Sequence, residues 1–535
     1  MYSTSLQAGS LDRQRTACRL KEVDRPGGFT LPKVCSCVST GPTRKARFSI
    51  SNGNGFSKQR TTTSKRQHAD ERGFQSVSES HARDGCSPSR LRVGIAGGSI
   101  AGMVAARALL DSGVDVEVFE TNERHRHTNT PGCLMLQNNA LRVLELLSTD
   151  SESSASGHDL GQEMHQAGSR ISSGAFFTDK GEFLWQTVKE QRPVGQDDIG
   201  VCVTRDTLYH ELESALPSDI VRWGVGVETW VDHPDGRVEI TLTDGQKTTC
   251  DVLVGADGVS SSTRARLQGL AELPSPNVTS CHCWRAMIDP QKLNGGMDWF
   301  LEQTKGYQWV EYWGSNTHFG MFAVGGGLWS WYAVVRDESS GQQGGGRKGR
   351  ADSTHWNNAK GPQQMTLLHK AFEGFDSPVP EILEATADGN IFYSPLVDRR
   401  PIPGRKWGEG AVTLMGDAAH TVLPVMGQGG CLAIEDAFEL ANELRQISTI
   451  AEYDKLSKAR LVRALRKYER QRAGRTDLVF WQSRLLFHLG ISTFPPVVAL
   501  RNMMFRLSPT FLVHITFSWI FDYTPAWFKL PDHKK

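Results

Sequence analysis

Regular spacing of apolar positions begins at Leu91. Arg92-Val93-Gly94-Ile95-Ala96 predicts a short buried strand, Met103 to Ser112 has helical rhythm, and Val114 to Phe119 predicts the next strand, closed by Glu120. Leu136 to Leu147 predicts a helix entered from the polar turn Gln137-Asn138-Asn139, and Val203 to Leu208 repeats that pattern. Asp235-Gly236 and Asp244-Gly245 are hairpin signals flanking the alternating run Val238 to Leu242. Val252-Leu253-Val254-Gly255 is a further buried strand. Tyr307 to Trp313, His318 to Val324 and Leu328 to Val335 are rich in aromatic and β-branched residues and predict strands of an antiparallel sheet. Their rings either line an apolar substrate or fill a core. Ala411 to Leu414 predicts one more strand, and Leu432 to Leu444 an amphipathic helix.

Beyond that helix, Leu461 to Arg475 is basic and helical, as a solvated face would be. Apolar stretches follow at Leu485 to Leu489, Pro495 to Leu500 and Phe511 to Phe521, interrupted by Arg484, Arg501, Arg506 and prolines. No uninterrupted run reaches the roughly 20 residues of a spanning helix. Two readings stay open: helices in a membrane interface with arginines at headgroup level, or a helical layer on the protein's own core.

Composition separates the first ninety residues from the rest. Before residue 50 the acids are Asp12, Glu22 and Asp24, against nine arginines and lysines among many Ser and Thr. That bias is the composition of an organelle transit peptide, with a basic disordered tail as the alternative. Ser51 to Arg90 is polar and aperiodic, like a linker, and Ser339 to Gly361 is Gly-rich and polar, like a flexible excursion. The 535 residues suffice for two or three domains, and sixty basic against fifty-nine acidic residues give a formal charge of +1, so nothing global points to a nucleic-acid partner. Ten scattered cysteines form neither a disulfide framework nor a paired zinc motif.

Chemistry concentrates at three strand-to-turn junctions. Gly97-Gly98-Ser99-Ile100-Ala101-Gly102 lies between strand and helix, with Glu120 ending the next strand. This is a dinucleotide-binding arrangement: a tight turn, close backbone approach to a pyrophosphate, a helix N-terminus facing it, and an acid for the ribose. Ser99 stands where the middle glycine is usual. Gln137 and Arg205 open helices, and Arg205 either reaches the pyrophosphate or is solvated. Asp257-Gly258 ends the Val252 strand as a second carboxylate turn, or as an ordinary Asp-Gly turn. Gly416-Asp417 begins the third, which runs through Pro424 to Gly427, Gln428, Gly429 and Gly430 before the Leu432 helix. Those glycines let the backbone approach a ligand closely, and the helix start favours an anion there.

In order and spacing these motifs resemble the flavoprotein monooxygenases that bind FAD in a single Rossmann-type domain. The run Met426 to Asp436 is most similar to their zeaxanthin epoxidase branch. The similarity spans about Leu91 to Arg475; the plant enzymes' forkhead-associated domain has no counterpart after it. The resemblance implies an α/β fold: a Rossmann-type FAD-binding domain in two parts (91–275 and 395–475), an antiparallel-sheet substrate domain (276–394), and a helical C-terminal region (476–535), after a transit peptide and disordered linker (1–90). It implies FAD held by Gly97, Ser99, Gly102, Glu120, Gln137, Arg205, Asp257, Gly258, Gly416, Asp417, Gly429 and Gly430, with Asp417 on the ribityl chain. It places Pro424, Gly427 and Gln428 at the reacting ring. NADPH, or reduced ferredoxin, is the implied electron source and dioxygen the co-substrate. A flavin hydroperoxide is the implied oxidant and a lipophilic xanthophyll the substrate, in a plastid and peripheral to a membrane. Epoxidation of an isolated alkene needs no base to deprotonate the substrate, whereas phenol hydroxylation does. Hydroxylation of an aromatic or other apolar small molecule, and a non-catalytic flavin-fold adaptor, remain as alternatives.

Overall fold

The computed structural model describes residues 90–124, 132–149, 159–188, 198–336, 362–448, 458–508, 519–520 and 523. The expected transit peptide and linker before Arg90, the Ser339–Gly361 excursion and most of the Phe511–Phe521 stretch lie outside these residues. Within the described residues, the expected Rossmann-type sheet is present. It has five parallel strands in the order Val412–Leu414, Val252–Gly255, Arg92–Ala96, Asp115–Glu120 and Val221–Trp223. Arg92–Ala96 pairs on both sides, with Ala96 opposite Gly255 and opposite Phe119. Its apolar run without alternation follows from burial on both faces. The crossover helix Ile100–Asp111 is buried over its first ten residues and sits between that sheet and the helix Gln428–Ser448. The hairpin signals hold: Val227–Asp232, Val238–Leu242 and Lys247–Cys250 form an antiparallel meander, with left-handed Gly236 and Gly245 at its turns.

The aromatic stretches form the core of a seven-stranded sheet: Phe392–Asp398, Asn277–Ile288, Leu328–Arg336, Thr317–Val324, Trp309–Trp313, Gly174–Thr178 and Phe183–Thr187, in that order. Two features depart from expectation. The last two strands come from within the stretch assigned to the first part of the nucleotide domain, and Trp309–Trp313 pairs in parallel with Gly174–Thr178. All five residues of Gly174–Thr178 are buried, so no alternation marked that strand. One face of the sheet packs Phe319, Met321 and Trp331 against helices carrying Phe300, Leu368 and Leu383.

Smaller corrections concern helix starts. Leu136 and Gln137 end the strand Cys133–Gln137, and the helix begins at Asn138. The basic helix runs from Lys458 to Gly490, well past Arg475. It is not a solvated face throughout, because Leu461, Leu465, Tyr468, Arg472 and Thr476 are buried. The arginines of the apolar tail each have a partner within the protein. Arg484 binds Asp398 Oδ2 at 2.6 Å, Arg501 donates to the carbonyls of Gly490 (2.5 Å) and Gly314 (3.3 Å), and Arg506 pairs with Glu182 at 2.6 Å. These cations anchor the tail helices to the protein.

Candidate active site

The first turn is built by close backbone approach. Gly97 has φ +107°, and a Cβ there would stand 2.5 Å from the Ala256 carbonyl. A Cβ on Gly102 would stand 1.9 Å from the Gly97 carbonyl, so helix and turn touch backbone to backbone. Ser99 takes the N-cap position with extended backbone and no side-chain capping bond. The amides of the first helical turn therefore have no partner inside the helix. Glu120 is buried and holds the turn: Oε2 accepts from Gly98 N at 2.7 Å and Oε1 from Asn122 N at 2.8 Å. Arg205 begins the helix Arg205–Ser214, which Thr204 caps by accepting from Thr207 N at 3.0 Å. Its Cζ lies 5.9 Å from the Tyr209 ring, and its buried Nε has no hydrogen-bond partner.

The third turn faces the same region. Asp417 is accessible to water but hemmed in by protein, as a carboxylate in a cleft wall would be. Burial raises its carboxyl above the usual aspartate range, opposed by His420 and Arg205. Arg205 thus acts electrostatically on the third turn. Gly416 has φ 56° and packs between Ala101 and Ala433, where a Cβ would sit 3.1 and 3.4 Å from their methyl carbons. Pro424 and Gly427 are exposed and Gly429 and Gly430 half-open, forming one accessible rim. Gln428 is not on that rim. Its buried side chain donates through Nε2 to Gln137 Oε1 and accepts at Oε1 from Asn139 Nδ2 at 3.0 Å. Gln137 in turn donates to the Met426 carbonyl at 3.0 Å. Both glutamines therefore brace the loop from behind.

The middle turn works locally. Asp257 accepts from Ser261 Oγ at 2.5 Å, Ser262 Oγ at 3.2 Å, and Thr263 N and Oγ1 at 3.0 Å, so its carboxylate fastens the start of the helix Ser262–Leu267. Gly258, at φ +73°, makes the turn. The ordinary-turn alternative describes Asp257's contacts, while the preceding Ala256 carbonyl is what meets Gly97.

Facing the third turn is the other side of the seven-stranded sheet. Trp309, Phe322 and Tyr332 are only partly buried in its middle, and Tyr332 and Val425 pack against one apolar cluster. Glu311, 4% exposed, accepts from Trp309 Nε1 at 2.6 Å and Tyr332 OH at 2.7 Å, and pairs with His318.

A model of the FAD binding domain matches residues 90–354 and 384–467. The aurachin C monooxygenase/isomerase of Stigmatella aurantiaca is 31% identical over 66% of this chain and 80% of its own length. The chloroplastic zeaxanthin epoxidase of Nicotiana plumbaginifolia is 31% identical over 74% of this chain, and the chain spans about half (54%) of that relative's length. The chain belongs to the FAD-dependent monooxygenases. Among solved structures, Klebsiella pneumoniae HpxO complexed with FAD and uric acid superposes with TM-score 0.64 at 21% identity, over 80% of this chain and 95% of that one. A salicylate hydroxylase substrate complex gives TM-score 0.62 at 22% identity, over 82% and 97%. These two share the fold.

The residues present fit the family's cofactor. The unpartnered Arg205 Nε and the first-turn amides suit a pyrophosphate, and a Cβ at Gly97 or Gly102 would close the turn. Several residues around the site were missed in the sequence. Arg264, whose guanidinium is pushed down to about 10 by burial and by Arg399, donates to the Ala418 and Ala419 carbonyls at 3.3 Å. Asn139, His420, Glu435, Asp436, Arg472 and Arg475 form a charged cluster behind the third turn. The signal available was Glu435-Asp436, an acidic pair inside an apolar helix face.

Proposed function

We propose that this chain is an FAD- and NADPH-dependent epoxidase acting on the ring double bond of a xanthophyll, with reduced ferredoxin as an alternative electron source. The observation that carries this reading is the half-buried aromatic face of the seven-stranded sheet. Trp309, Phe322 and Tyr332 present rings, while the Glu311 carboxylate is closed off by its donors. Such a face suits an apolar, uncharged substrate. The zeaxanthin epoxidases, at 29–31% identity, add weight to the same substrate class.

Bound FAD supplies the activation of dioxygen. The chain's residues do the rest. Arg205 and the first-turn amides would hold the pyrophosphate, and Asp417 would accept from cofactor hydroxyls. The Pro424–Gly430 backbone shapes the pocket beside the ring, and the start of the helix Gln428–Ser448 favours negative charge there. One atom of dioxygen enters the substrate and the other leaves as water, with two electrons from NADPH.

We further propose that the enzyme sits on a plastid membrane. Leu478, Trp481, Leu485, Leu500, Met503, Met504 and Leu507 on the two tail helices, and Phe494 between them, are 48–71% exposed. Among the described residues no single helix is long and apolar enough to cross a membrane. The pair Lys458–Gly490 and Pro495–Leu507, bent by 113°, passes that test only jointly, and exposed apolar residues on a bent pair suit an interfacial seat.

One observation favours hydroxylation as the second reading. Tyr332, Glu311 and His318 form a chain of proton-carrying groups beside that aromatic face, able to relay a phenol proton. Incubation with zeaxanthin, reductant and labelled dioxygen separates the two. The epoxidase reading requires one labelled oxygen at the ring double bond, with Glu311→Gln still active. Turnover only of phenols, lost in Glu311→Gln, would replace it with the second.

A further inference from the structure

Glu435 and Asp436 are adjacent on the helix Gln428–Ser448, so their side chains point about 100° apart and reach different partners. Both are fully buried, as is Arg472 of the long helix. We propose that Arg472 and Arg475 are positioning residues for the cofactor site, and that the C-terminal segment at Trp519, Ile520 and Tyr523 completes their hold on it. The proposal rests on the FAD reading above.

Two arms leave the cluster. Glu435 Oε1 accepts from Asn139 Nδ2 at 2.6 Å, and Asn139 also donates to Gln428, which is tied to Gln137 and so to the Met426 carbonyl. That arm fixes the Pro424–Gly430 rim. Asp436 Oδ2 accepts from Gly416 N at 2.9 Å and binds His420 Nε2 at 2.5 Å, fixing the backbone that presents Asp417. Arg472 joins the arms, with Nε 2.6 Å from Asp436 Oδ1 and Nη1 2.7 Å from Glu435 Oε2. The two sides of the third turn therefore cannot shift independently without exposing a buried charge to an incomplete set of partners.

Arg475 extends the hold outward. Its Nε and Nη2 bind Glu435 at 2.8 and 2.6 Å. Its Nη1 donates to the Trp519 carbonyl at 2.8 Å and Nη2 to that of Ile520 at 2.7 Å. The Tyr523 ring covers its Cζ at 4.3 Å, and the Tyr523 hydroxyl donates to Glu439 at 2.6 Å. A planar fork satisfying a carboxylate and two carbonyls together has one good geometry, which lysine does not reproduce. Seating the cofactor and seating the C-terminal segment thus favour the same arrangement of Glu435, and coupling between two sites is reciprocal.

Hydrogen exchange on the full chain with and without FAD tests this. Protection at Gly97–Gly102 reports cofactor binding directly, and exchange in peptides holding Trp519 and Ile520 should then slow about tenfold. In Arg475→Lys, FAD should still protect the first turn but no longer the C-terminal peptides. The FAD Kd should rise about tenfold and the visible spectrum of bound flavin should shift. Arg506→Ala, which breaks a surface pair with Glu182, should leave Kd and spectrum at wild-type values. A protected first turn with unchanged C-terminal exchange in the wild type overturns the inference, as does a wild-type Kd and spectrum in Arg475→Lys. A first turn unprotected by FAD overturns the FAD reading and this inference with it. If Arg475→Lys does not fold, the wild-type exchange comparison decides.

Discussion

Gly102→Ala is the sharpest test of the first turn. The added methyl would lie 1.9 Å from the Gly97 carbonyl oxygen, against the 3.0 Å below which such contacts essentially do not occur. Neither atom belongs to a flexible side chain, so helix and turn must part by about 1 Å. Overpacking of this kind costs about 1–3 kcal/mol, small for a core that includes the five-stranded sheet and its buried helices. The protein should stay folded, with Tm lower by only about 1 °C per kcal/mol in a fold of this size. The same displacement moves the first-turn amides away from the pyrophosphate they would bind. A loss of about 1.4 kcal/mol there weakens FAD tenfold. Titration of the apoprotein by flavin fluorescence, beside a thermal melt, separates the effects. Ser99→Gly, which adds no atom, should bind FAD within twofold of wild type. Gly102→Ala binding FAD equally well would refute the assignment of this turn to the pyrophosphate.

Asp417→Ala should lose most bound FAD while melting near wild type, and a purified variant with full flavin content would remove Asp417 from the site. Burial would raise the Asp436 carboxyl, but His420 and Arg472 outweigh it and hold it below the ordinary aspartate value. Its contribution to stability is therefore full above the ordinary aspartate range and is lost as pH falls through the lowered pKa. Asp436→Asn should remove that acid-side loss from a pH series of melts, and an unchanged acid limb would contradict it. Replacing the exposed Trp481, Leu485, Met504 and Leu507 together with serine should abolish cosedimentation with plastid-lipid vesicles without lowering Tm, and undiminished binding would place membrane contact elsewhere.

The elements whose signals are local were legible. The Gly97 turn needed only a strand, small residues and a helix in succession, and the hairpins at Gly236 and Gly245 only residues tolerant of positive φ. The strand Gly174–Thr178 was invisible because burial of every residue erased its alternation, and its membership of the distant sheet follows from pairing with Trp309–Trp313. Asp257 had a conspicuous motif, but that its oxygens accept from Ser261, Ser262 and Thr263 next to it emerges only from the structure.

Sequence alone therefore determined where backbone must approach backbone, which strands alternate and where helices begin within a few residues. Periodicity and glycine are statements about neighbours along the chain. Tertiary structure decided which charges are solvated and which are structural. Arg472 and Arg475 sit in a basic helix that reads as solvent-facing, but their partner Glu435 lies 40 residues before Arg475, and Asn139 lies 296 residues before Glu435. A charged side chain at helical spacing carries no mark of its fate until the fold brings a buried partner of opposite sign to it.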